Sequence, residues 1–207
     1  PAEAFHRADV IIDFTSPAAT ALHFALAQAE GRAMVIGTTG LTPDIRATIE
    51  NGPGARIVHS PNMSIGVNVM FDIVRRLSAT LGSSFDTEIV EMHHKWKKDA
   101  PSGTALRLRD MVKEGQPHRP WQDVFGREGV TGARNDNELG VMSLRGGDVV
   151  GEHTVIFAGT GERLEVTHRA FTRDNFAQGA LVAAKWLHKQ TPGIYSMMDV
   201  LGLAQVS

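Results

Sequence analysis

Two adjacent imidazoles, His93 and His94, stand just before a lysine, Lys97, and Pro101, Ser102, Gly103 and Thr104 follow a few positions on. An imidazole titrates near neutrality and can deliver a proton at physiological pH, while an ammonium pairs with a carboxylate and can itself act as an acid. The two histidines close a strand-like run, Thr87 to Met92. Beyond them a helix-like segment, Thr104 to Glu114, carries apolar Leu106, Met111 and Val112 and is closed by Gly115. At a helix start the first N–H groups lack intrahelical partners and the macrodipole is positive, so the backbone of Ser102, Gly103 and Thr104 suits a carboxylate or phosphate. The missing side chain of Gly103 keeps that backbone open to a ligand. The stretch reads as a site for a small polyanion with proton donors at hand. The residue types also admit a plainer reading, a polar strand end and a solvated loop, and they do not rank His93 above His94. Metal binding has less support, with no cysteine and no His-Glu-x-x-His helix in the sequence.

The elements that must position these residues follow from periodicity. Val10 to Thr15, Ala33 to Gly37 and Ala55 to His59 read as short strands, separated by helices over Ala18 to Glu30 and Pro43 to Asn51. Such β-α-β-α-β alternation implies parallel pairing with right-handed crossovers. Thr15, Gly37 to Thr39 and Ser60 to Asn62 then gather at the carboxyl ends of the strands, the edge where open α/β sheets bind ligands. From Met63 the pattern changes. An amphipathic helix, Val67 to Leu81, leads to the Thr87 strand, the Thr104 helix and a glycine-rich connection over residues 126–140. Strands follow at Val141 to Arg145, Val149 to Ala158 and Arg163 to Ala170, the last two joined by a tight turn at Gly159 to Gly161. Leu164, Val166 and His168 alternate with polar residues, the period of a sheet with one buried face. His153 and His168, at strand spacing, read as satisfied or partner-facing histidines. A last helix spans Asn175 to His188, followed by a short tail.

With 207 residues and 42% hydrophobic content the chain can bury a substantial core. A formal net charge of -2 without a basic run argues against nucleic acid or an anionic membrane as partner. The absence of cysteine excludes a disulfide framework and fits a reducing, cytoplasmic setting. No apolar run reaches the length of a membrane span.

The run EIVEMHHKWKKDAPSGTAL, residues 88–106, resembles the signature of the 4-hydroxy-tetrahydrodipicolinate (dihydrodipicolinate) reductase family, with every fixed position filled from Glu88 to Ala105. VIIDFTSP (10–17), MVIGTTG (34–40), PNMSIGVNVM (61–70), GDVVGEHTVIFAGTGERLEVTH (147–168) and NFAQGALVAAKWL (175–187) read like that family in order. The resemblance implies an α/β fold: part of a Rossmann-type parallel sheet plus an α+β substrate and oligomerisation domain with a mixed open sheet. It implies that residues 1–63 and 174–207 form the nucleotide-binding part and 64–173 the substrate-binding and tetramerisation part. It further implies NADH or NADPH as hydride source, a dicarboxylate ring imine as substrate, a homotetramer, and a place in lysine and diaminopimelate biosynthesis. By this resemblance His93 is the general acid and Lys97 a second catalytic group. His94, Ser102, Gly103 and Thr104 bind substrate, and Gly37, Thr38, Thr39, Ser60, Pro61, Asn62 and Met63 contact the cofactor. Met63 stands where the family often has Phe. No glycine-rich strand-turn-helix precedes Val10. The chain is therefore expected to begin inside the nucleotide domain and to hold either nucleotide poorly. Another nicotinamide-dependent α/β dehydrogenase, or a module that binds substrate without turnover, would share parts of this pattern.

Overall fold

The structure, a computed structural model, describes residues 2–203, so the last four positions of the expected 174–207 segment lie outside it. In chain order the elements are α1 (Ala2–Arg7), β1 (Val10–Asp13), α2 (Pro17–Ala29), β2 (Ala33–Ile36), α3 (Pro43–Glu50), β3 (Arg56–His59) and α4 (Ile65–Leu81). There follow β4 (Asp86–His93), α5 (Gly103–Gly115), β5 (Gln122–Val124), β6 (Glu138–Arg145), β7 (Gly151–Gly159) and β8 (Glu162–Ala170). The chain closes with α6 (Asp174–Leu187), β9 (Gly193–Tyr195) and α7 (Met197–Val200). It divides into two compact units, one running to Asn68 and resuming at Asp174, the other spanning Val69–Arg173.

In the first unit β1, β2, β3 and β9 form an all-parallel sheet in that order. Side chains start its helices. Ser16 caps α2 by accepting from the Ala19 N–H, Thr42 caps α3 by accepting from that of Ile45, and proline fills the first turn of each. The β2 strand is buried at every position, as befits a central parallel strand covered on both faces. One face packs Met34, Ile36 and Ile57 with Phe24, Ala27 and Ile49 of α2 and α3. The other packs Ala33, Val35 and Val58 with Ala180, Ala183 and Leu187 of α6 and with Met63. Each fully buried Val, Leu, Ile, Met or Phe among these contributes about 1.5–3 kcal/mol. The tail after Pro192 is not irregular: β9 adds the fourth strand, and α7 is closed by a capping box between Ser196 and Asp199. A three-residue strand shows no periodicity of its own, and its pairing with β3 makes it one.

The second unit is a mixed sheet, order β5-β6-β4-β7-β8. β5 and β4 run parallel to β6, while β7 pairs antiparallel with β4 and with β8. Along β4 burial alternates strictly, with Thr87, Ile89, Glu91 and His93 turned inward. Val141, Val155 and Phe157 share that face, and α5 covers it with buried Ala105, Leu108, Met111 and Val112. β8 departs from the expected buried face: Leu164 is 41% exposed, because β8 is the edge strand. Gly115 also departs from its expected role. It is the last helical residue of α5 and not a left-handed cap, and a Cβ there would stand 2.5 Å from the Arg75 carbonyl oxygen and 2.7 Å from Ser78 Cβ. The residue is small so that α5 can pack on α4, where the Ser78 hydroxyl also donates to the Val112 carbonyl at 2.7 Å. The 126–140 connection is shorter than expected, since β6 begins at Glu138. Arg127 and Arg134 tie it to the sheet through Glu88, and Arg134 also reaches Asp86.

Gly179 of α6 lies so near the Met63 backbone that a Cβ would overlap the Met63 carbonyl oxygen. Gly179→Ala should therefore lower stability by about 1–3 kcal/mol. Urea denaturation should show a lower midpoint with an unchanged slope.

Candidate active site

The inward face of β4 ends in two polar side chains, and β6 and β7 supply their partners. Glu91 is fully buried. Arg145 of β6 clamps it with both guanidinium nitrogens, Nη1 donating to Oε2 at 2.8 Å and Nη2 to Oε1 at 2.9 Å. Oε2 also accepts from Nδ1 of His93 at 2.6 Å, and Oε1 accepts the Ser102 N–H at 3.1 Å. Burial alone would raise the Glu91 carboxyl, yet the hydrogen bonds from His93 and Arg145 overcome it and hold the group down at about 2. Glu91 is thus ionised throughout the neutral range. An ionised carboxylate only accepts, so Nδ1 of His93 must carry the proton and Nε2 is left as the working nitrogen.

His153 of β7 meets the His93 ring edge-on, centroids 5.2 Å apart, and its Nε2 shares a 3.0 Å hydrogen bond with the Ser102 hydroxyl. Burial pushes His153 down to about 3, with the neighbouring His93 charge acting in the same direction, so its imidazole is neutral at neutral pH. Its Nδ1 is buried with no hydrogen-bond partner.

Ser102 caps α5, its hydroxyl accepting from the Ala105 N–H at 3.2 Å. Its N–H is directed to Glu91 and its hydroxyl to His153, so both groups expected to face an anion are taken up inside the protein. What α5 presents outward is its first turn. Gly103 is exposed there, and a Cβ built on it would meet nothing within 4 Å; Thr104 follows, half-buried. His94, one residue past the inward His93, stacks at a tilt against Trp96 with its Nδ1 buried and unpartnered. Lys97 pairs with Asp99 at 2.9 Å, which holds that carboxyl below its usual range. No group of three or more potential metal ligands occurs among the described residues.

In the first unit the carboxyl ends of β1, β2 and β3 bring Thr15, Gly37, Thr38 and Ser60 together, with Gly37 N–H donating to Asp13 O and Ser60 N–H to Ile36 O. Thr38 is bound inward: its hydroxyl donates to buried Asp13 at 3.2 Å and accepts the Thr15 N–H at 3.0 Å. Asp13 also takes hydrogen bonds from Thr15, Thr20 and His23; against the upward push of burial, these keep its carboxyl below the ordinary value. At Gly37 the Phe14 ring fills the space a Cβ would need. Thr39 and Pro61 are exposed at this edge. The turn from Ser60 is braced by its own side chains, the Ser60 hydroxyl donating to Asn62 O and the Ser64 N–H to Asn62 Oδ1. Met63 does not reach the edge. It is 1% exposed and packs in the core with Ala180, Ala183 and Leu187 of α6.

Glu91, Arg145 and Asp13 carried no role in the reading of the sequence. Glu91 had a signal, since it falls on the buried parity of a strand where only a paired charge is tolerated. Arg145 had none, because its place beside His93 follows from the β4–β6 register.

A parallel Rossmann-type sheet and a separate mixed-sheet unit with a buried carboxylate–imidazole pair make this a two-unit α/β protein. Family models described as dihydrodipicolinate reductase match on both sides, the N-terminal one over residues 1–63 and the C-terminal one over 66–201. The 4-hydroxy-tetrahydrodipicolinate reductase of Anaeromyxobacter dehalogenans strain 2CP-C is 51% identical over 98% of this chain and 76% of its own length. That of Myxococcus xanthus is 50% identical over 97% and 74%. A dipicolinate-bound dihydrodipicolinate reductase from Paenisporosarcina sp. TG-14 superposes with a TM-score of 0.71 at 27% identity, covering 92% of this chain and 72% of that one. The chain belongs to the 4-hydroxy-tetrahydrodipicolinate reductase family, oxidoreductases that use a nicotinamide cofactor.

The depressed His153 sets a pH dependence of stability. Its folded value of about 3 lies below the ordinary 6.5, so the unfolded chain binds the extra proton between these limits. The stabilisation is complete above pH 6.5 and is lost as pH falls toward 3. His153→Gln should remove about one proton from that dependence, flattening the stability curve between pH 6 and pH 4 by roughly 1.4 kcal/mol per pH unit, as read by urea denaturation.

Proposed function

We propose that the second unit binds the dicarboxylate ring imine of the family reaction and that His93 supplies the proton when it is reduced. The observation that carries this reading is the 2.6 Å hydrogen bond from Nδ1 of His93 to buried Glu91, which leaves Nε2 as the ring nitrogen not held by that carboxylate. One substrate carboxylate sits on the N–H groups of Gly103 and Thr104, where the helix dipole favours an anion. Lys97 meets the other polar groups. Its present partner Asp99 has a side chain 62% exposed, so exchanging it for a substrate carboxylate costs little. His94, beside it, is the remaining substrate contact. Ser102 acts through Glu91 and His153, not by touching substrate.

The first unit fits the nicotinamide end of NADH or NADPH: Gly37, Thr38, Thr39, Ser60, Pro61 and Asn62 stand on the strand-end edge that binds ligands in parallel sheets. That cofactor, when bound, supplies a hydride. The chain's own residues hold the carboxylates, orient the imine and deliver one proton from Nε2 of His93, which is replenished from solvent. The reaction belongs to lysine and diaminopimelate biosynthesis in the cytoplasm, and no described helix is long and apolar enough to cross a membrane. A homotetramer built on the mixed sheet is supported by the face turned away from α5. That face exposes Leu144 at 51%, with Val90, Met92, Met142 and Ile156 only half-buried.

His93→Gln should lower kcat by about 10²- to 10⁴-fold with a smaller effect on KM, since the proton transfer belongs to the transition state. Lys97→Gln should raise KM for the dicarboxylate, and Gly103→Val should weaken binding of pyridine-2,6-dicarboxylate while leaving the fold intact, as circular dichroism would verify. Near wild-type turnover in a folded His93→Gln protein would contradict the reading. Light scattering should give about four times the chain mass, and a monodisperse monomer at micromolar concentration would remove the tetramer.

A further inference from the structure

Beyond the proton donor itself, the structure assigns a positioning role to the residue behind it. We infer that Glu91, pinned by Arg145, sets the orientation and the tautomer of His93, and so decides which nitrogen works; this rests on the reading of His93 as the proton donor. The two carboxylate oxygens divide the task. Oε2 holds Nδ1 of His93, and Oε1 holds the Ser102 N–H at the cap of α5. One side chain therefore ties the proton donor to the helix start that faces the anion. Arg145 fixes the carboxylate from the far side, and its Nη2 also donates to the Asp99 carbonyl at 2.7 Å.

A second observation concerns the free side of the imidazole. A Cβ built on Gly151 would stand 3.0 Å from His93 Nε2 and 3.4 Å from Cδ2, so a side chain on the first residue of β7 would crowd that nitrogen. The ring is thus held at Nδ1 and given clearance at Nε2, the arrangement an oriented acid requires.

A carboxylate only accepts, so Glu91 keeps the proton of neutral His93 on Nδ1 and leaves Nε2 free. Glu91→Gln keeps the shape and an oxygen able to accept the Ser102 N–H, but its amide can donate as well as accept, so it no longer fixes the tautomer.

The test is ¹⁵N NMR of the histidine side chains in the 207-residue chain at alkaline pH, where imidazoles are neutral, with steady-state kinetics beside it. Wild type should show the Nδ1–H form of neutral His93. In Glu91→Gln a mixture of Nδ1–H and Nε2–H forms should appear, with kcat lower by about 10²-fold and KM within about threefold. If the single variant does not fold, Glu91→Gln combined with Arg145→Met removes both charges and should give the same mixture. A folded variant of either kind whose His93 tautomer and kcat match wild type overturns the inference, because a purely structural glutamate would change stability alone. A changed tautomer together with unimpaired turnover in His93→Gln leaves the positioning role standing and sinks the general-acid reading instead.

Discussion

A buried carboxylate must be fully hydrogen-bonded or it unfolds its surroundings, and Glu91 meets that demand with partners drawn from three places in the chain. Arg145 comes from β6, the Ser102 N–H from the start of α5, and His93 from two residues along its own strand. Satisfying one charge therefore fixes the β4–β6 pairing, the cap of the covering helix and the imidazole together. The short 2.6 Å contact and the guanidinium fork are what a low-dielectric interior requires to keep an ionised group.

The first unit repeats the device at smaller scale. Asp13 at the end of β1 is buried and satisfied by the hydroxyls of Thr15, Thr20 and Thr38 and by His23, which joins the ends of β1 and β2 to α2. In both units a buried carboxylate braces the loop above it, Glu91 through the Ser102 N–H and Asp13 through the Thr38 hydroxyl. This explains why two residues expected at ligand-facing positions, Thr38 and Ser102, have their hydroxyls directed inward.

Much of this was legible in the residue pattern. The alternation of β1, α2, β2, α3 and β3, a helix expected from Thr104 and found from Gly103, and the hairpin closed by Gly161 follow local rules of period, capping and turn chemistry. The family resemblance supplied the ranking of His93 over His94, and the strand period gives it a physical counterpart: His93 lies on the buried parity of β4 and His94 lies past its end. What stayed hidden depends on register and packing between distant segments. Arg145 reaches Glu91 across 54 positions through strand pairing, β9 exists only beside β3, and Met63 is drawn into the core by Gly179. Gly115 shows the same limit from the other side, a glycine that looks like a helix stop and serves as a helix contact.

The central claim is that one substrate carboxylate lies on the start of α5 while Nε2 of His93 faces the ring. A crystal structure of this chain with pyridine-2,6-dicarboxylate at neutral pH tests it most directly. The account predicts a ligand carboxylate within hydrogen-bond distance of the Gly103 and Thr104 N–H groups, His93 Nε2 toward the ring and Nδ1 still on Glu91. A ligand bound away from residues 93–104, or a His93 ring turned so that Nδ1 meets the ligand, would contradict it.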